Sequence, residues 1–81
     1  MSYNKTRPKG DKFIVRLYDG FDNQWIDVSD ILSWEDAKAF WDEKTENGTK
    51  KTKYSDIDYY DIFSANTTML YADGYGAQYE E

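Results

Sequence analysis

The sequence predicts a small α+β domain: an antiparallel sheet of three to four strands, in the order β-β-α-β-β, with one amphipathic helix packed on one face. Three observations carry this. Two stretches with a two-residue alternation flank a turn rich in Gly, Asp and Asn, within residues 12–29. One stretch, 34–46, spaces its apolar residues as a helix does. A second β-patterned region follows at 54–72. Eighty-one residues make one domain, which buries only about 60% of the surface its unfolded chain exposes.

The opening MSYNKTRPKG is polar, basic and broken by Pro8 and Gly10, so residues 1–11 read as a flexible basic arm. In KFIVRLY, Phe13, Val15 and Leu17 share one side while Ile14, Arg16 and Tyr18 take the other. DGFDN is a turn, and in QWIDVS the residues Ile26 and Val28 share a face opposite Trp25 and Asp27. These two strands form a hairpin.

Ser33 is a good N-cap, followed by Glu35 and Asp36 where the positive end of a helix favours anions. Trp34, Ala37, Phe40, Trp41 and the stem of Lys44 make an apolar stripe, and Asn47-Gly48 supplies a stop. After a lysine-rich connection comes YSDIDYYDIF, residues 54–63. Parity there sets Ile57, Tyr59 and Phe63 toward the helix and Asp56, Asp58 and Tyr60 outward. Asp61 fits neither side, which predicts a bulge near Tyr60 or Asp61. SANT is a turn and TMLYA, 68–72, a short last strand that closes a domain spanning 12–72. DGYGAQYEE has two glycines and no periodicity, and 73–81 therefore read as a flexible acidic tail.

The residue inventory excludes several kinds of chemistry. With no cysteine there is no disulfide and no thiolate metal site; with no histidine, the commonest metal ligand and general base is absent. An enzyme would have to work with carboxylate, Lys or Tyr alone, so the sequence argues for a non-enzymatic protein without a cofactor. The pair Asp56 and Asp58 has D-x-D spacing, but no phosphate-cradling glycine loop precedes it. Reading DGFDNQWIDVSD as a calcium loop fails at its third, sixth and twelfth positions, Phe21, Gln24 and Asp30. No apolar run is long enough for a membrane span, and the N-terminus lacks the pattern of a secretory signal, so a cytoplasmic location is expected.

Charge is segregated along the chain. Residues 1–18 carry five bases and one acid, 19–37 six acids and no base, 38–53 five lysines and three acids, and 54–81 six acids and no base. A sheet uniting the two acidic blocks would repel nucleic acid and attract a basic surface. The basic arm with its neighbouring aromatics could grip single strands, but a pI near 4.5 argues against direct nucleic-acid binding. The candidate contact residues are Asp56, Asp58, Tyr60 and Asp61, with Trp25 and Asp27 from the hairpin. Their carboxylates would steer a partner and their aromatics would anchor it.

In size, charge and the acidic–aromatic pattern of YSDIDYYDIF and DNQWIDVSD, the chain resembles the short, acidic, cysteine-free proteins that bacteriophages encode. Such proteins block host enzymes or defence systems, and some mimic nucleic acid. The resemblance implies a protein partner with a basic surface, met in the host cytoplasm. The alternative is a self-associating structural protein, in which the basic arm of one copy meets an acidic face of the next.

Overall fold

The computed structural model describes residues 2–19, 21–47, 59–68 and 73–79. The element order is β1 (Ser2–Tyr3), β2 (Phe13–Asp19), β3 (Gln24–Asp27), α1 (Trp34–Thr45), β4 (Tyr59–Ser64) and β5 (Gln78–Tyr79). β2 lies at the centre of an antiparallel three-stranded sheet of order β3-β2-β4, and α1 packs across one face. This is the predicted α+β architecture. The strand expected at 68–72 falls mostly on 69–72, outside the described residues. Among the described residues no helix is long and apolar enough to cross a membrane.

The hairpin forms for the reasons its turn chemistry suggests. Asp19 Oδ1 accepts from the Phe21 and Asp22 amides at 3.0 and 3.3 Å, and Asn23 takes a left-handed φ of 54°. The Tyr18 hydroxyl donates to Asn23 Oδ1 at 2.8 Å, which ties the turn to the strand. At the start of α1, Ser33 Oγ accepts from the Asp36 amide, as an N-cap should. The end is earlier than Asn47-Gly48 predicts. Glu46 and Asn47 are themselves left-handed, at φ 53° and 59°, and the Asn47 amide returns to the Asp42 carbonyl at 2.9 Å.

On the helix side of the sheet, Phe13 and Val15 meet Tyr60 and Ile62 from β4 and Ala37 and Trp41 from α1. Fully burying side chains such as Phe13, Val15 and Ile62 stabilises by about 1.5–3 kcal/mol each. Trp41 bridges the two layers, since its indole N–H donates to the Tyr60 carbonyl. Thr45 is also buried, and its hydroxyl is satisfied within the helix by the Trp41 carbonyl at 2.7 Å.

The direction of β4 corrects the parity expected from sequence. The register pairs Tyr60 with Leu17 and Ile62 with Val15, so Tyr60 and Ile62 join the helix face. Phe63 pairs with Ile14 and Asp61 with Arg16, on the opposite face. That face is not open water at this end. Phe63 is fully buried, with the Trp25 ring edge-on at 5.0 Å. The expected bulge near Asp61 is also absent, because six consecutive residues pair without interruption. The irregularity lies on the other side of β2. Val28 donates to Val15 and Leu32 pairs with Phe13, so the segment 29–31 bows out, and Ser29 Oγ takes the Val15 amide at 2.9 Å.

The terminal segments belong to the fold. β1 pairs with β5, Asn4 exchanges backbone hydrogen bonds with Gly76 and Ala77, and Tyr75 pairs with Ile62 beside β4. The Tyr75 ring lies edge-on to both Trp34 and Trp41. The two glycines that read as tail are packing residues. A Cβ on Gly74 would come within 2.6 Å of the Phe63 ring, and one on Gly76 within 2.7 Å of Trp41. Arg7, in the segment read as an arm, holds its guanidinium 5.2 Å from the ring centres of both Phe13 and Trp34.

Candidate functional site

The hairpin strands set Arg16, Tyr18, Trp25 and Asp27 on the sheet face away from α1, and β4 adds Asp61 and Phe63. In the register Arg16 has a carboxylate on each flank, Asp27 of β3 and Asp61 of β4. Its Nε donates to Asp27 Oδ1 at 2.9 Å, and its guanidinium lies 5.3 Å from the centre of the Phe63 ring. The Arg16 side chain is 15% exposed and that of Asp27 61%.

Of the six residues singled out by sequence, Trp25 and Asp27 lie together on this face. Trp25 is half-buried and spends its ring on Tyr18 and Phe63, with centres 5.1 and 5.0 Å away. Asp61 shares the face but not the surface. It is 0% exposed, and neither oxygen has a hydrogen-bond partner among the described residues. Burial pushes its carboxyl well above the usual carboxylate range. Tyr60 is on the other face, in the core, so the outward position expected for it is corrected. Asp56 and Asp58 lie outside the described residues. Among the described residues, no three carboxylates converge to hold a metal ion.

The exposed apolar groups were not singled out. Among the described residues the large ones are Phe21, Ile26 and Ile31, at 84%, 40% and 62% exposure. All three fall in the first acid-only block, 19–37, where Asp22, Asp27, Asp30, Glu35 and Asp36 are exposed as well. Phe21 sits at the hairpin tip, Ile26 on β3 and Ile31 in the bowed segment. A recess of about 490 Å3 is lined by Asp27, Val28, Ser29, Asp30, Leu32 and Phe40. The signal available in the sequence was a phenylalanine inside a turn of Asp, Gly and Asn, where no core contact could be expected for it.

The arrangement provides apolar contact area, fixed negative charge and, among the described residues, an edge strand. Neither a known protein family, nor a curated protein, nor a solved structure matches the chain.

Proposed function

We propose that the protein is a non-enzymatic binding module, an inhibitor or adaptor, which engages a basic surface of a partner protein through residues 19–36. The observation that supports this is a coincidence of place. Every exposed large apolar side chain among the described residues lies within 19–37, a stretch of six acids and no base. Exposed apolar residues scattered singly are ordinary on a monomer. Gathered among carboxylates, they combine what an interface needs: anchors that are desolvated on contact and charges that steer the approach. Trp25 and Asp27 lie within this segment, whereas Tyr60 and Asp61 are buried in β4. A partner that normally grips nucleic-acid phosphates has a surface of the complementary sign.

Affinity capture from a cell lysate with three baits tests the reading. The wild-type chain should retain basic proteins that elute with salt. Phe21→Ser with Ile31→Ser should lose them, and Asp22→Asn with Asp30→Asn should hold them more weakly and with less salt dependence. Equal retention by all three folded baits would end this proposal. Sedimentation of the wild-type chain at micromolar concentration separates partner binding from self-association.

A further inference from the structure

We infer that Arg16 is a two-position device: its guanidinium holds Asp27 while the buried carboxyl of Asp61 is uncharged, and crosses to Asp61 when that carboxyl loses its proton. The geometry that carries this is the cross-strand triple on the helix-free face. Residues directly opposite one another on neighbouring strands have Cβ atoms about 4.5–5.5 Å apart. Arg16 is opposite Asp27 on one side and Asp61 on the other, so both carboxylates lie within reach of a single side chain.

The contacts are complementary in what they leave unused. Arg16 engages Asp27 through Nε, and its guanidinium carbon lies 5.3 Å from the centre of the Phe63 ring. Asp61 has two buried oxygens and no donor for either among the described residues. Such a carboxyl is tenable when neutral and untenable as an unpaired anion. The structure therefore shows the arrangement that belongs to the neutral form. The charged or titratable groups described on this face are Arg16 and Tyr18 on β2, Asp27 on β3 and Asp61 on β4. Of these, only Arg16 can neutralise an ionised Asp61.

Magnitudes favour the exchange once Asp61 is charged. The bond given up is a partly exposed ion pair, a class worth about 0–1 kcal/mol. The bond gained removes an uncompensated buried charge, whose penalty is about 3–5 kcal/mol. The consequence is that Asp27 is bare at the surface in one state and neutralised in the other. That consequence for docking rests on the function proposed above, whereas the exchange itself needs no partner.

Carbon-detected NMR of the isolated wild-type protein follows the Asp27 and Asp61 carboxyl carbons and the Arg16 Nε–H through a pH titration. Expected is one shared midpoint, above the ordinary carboxylate range, at which Asp61 titrates while the Asp27 and Arg16 signals shift in concert. Asp61→Asn should abolish that shared step and leave the Asp27 and Arg16 signals without it. Asp27→Asn should move the Asp61 midpoint to lower pH, because Arg16 then has no competing acceptor. Asp27 and Arg16 signals that stay still while Asp61 ionises would overturn the exchange, as would an unchanged step in Asp61→Asn. Both results are independent of whether any partner binds residues 19–36.

Discussion

Two stretches of this chain are made of the same ingredients, aspartates among aromatics, and the fold uses them in opposite ways. Residues 19–31 keep Phe21, Ile26, Ile31 and the carboxylates of Asp22, Asp27 and Asp30 at the surface. Residues 60–63 bury Tyr60, Asp61, Ile62 and Phe63 together. Composition does not separate them; strand position does. β3 has one strand neighbour, β2, in the described sheet, whereas β4 lies between β2 and the Tyr75 bridge. An acidic–aromatic run is thus a surface at the rim of a sheet and a core, at some cost, in its interior.

The largest test of this contrast concerns what encloses β4. Gly76 has a φ of 89° and faces the Trp41 ring, so Gly76→Ala combines a steric clash with backbone strain. A loss of about 2–4 kcal/mol in denaturant unfolding is expected. A loss below about 0.5 kcal/mol would mean that 73–77 do not help to close the core around β4.

Asp61 gives the next effect, and its sign depends on pH. The fold favours the protonated carboxyl, so the stability it contributes is complete below the ordinary carboxylate range. It is lost as pH rises through the raised folded-state value. Asp61→Asn should therefore stabilise the protein at pH 7. At pH 3.5 the same substitution should be close to neutral. Urea midpoints at the two pH values check this, and a destabilised variant at pH 7 would show that ionised Asp61 is useful to the fold.

Smaller changes sharpen the outer half of the comparison. Ser33→Ala removes the N-cap acceptor of Asp36 and should cost about 1 kcal/mol in thermal unfolding. Phe21→Ser should change stability by less than about 0.5 kcal/mol, since its ring is exposed. Its effect belongs in the capture experiment. A large stability loss would place Phe21 in the fold rather than at an interface.

Much of the architecture was legible because it rests on local chemistry. Ser33, the stripe Trp34, Ala37, Trp41 and the Asp/Gly/Asn turn each act within a few residues of themselves. The face of β4 was not legible, because alternation reports facing only when one side of a sheet is wet. Here Phe63 and Tyr60 are buried on opposite sides, so the pattern carries no direction and Asp61 looked like an error in it. Gly74 and Gly76 misled for a related reason. A glycine that yields room to a ring distant in sequence is indistinguishable, read alone, from one that loosens a loop. Of the candidate site, Trp25 and Asp27 were found through strand parity. Phe21 and Ile31 were missed because they lie outside any periodic segment.

The closing pair of strands has a consequence for the order of events during synthesis. Ser2 and Tyr3 find their partners at Gln78 and Tyr79, a pairing across nearly the whole chain, and such non-local contacts form slowly. The hairpin and α1 can assemble on the ribosome as they emerge. Phe63 and Trp41 then wait for Gly74 and Gly76 to follow. Until residues 73–79 pair, the Phe63 and Trp41 rings lack the backbone that packs against them, so that segment acts as the latch of the folded domain.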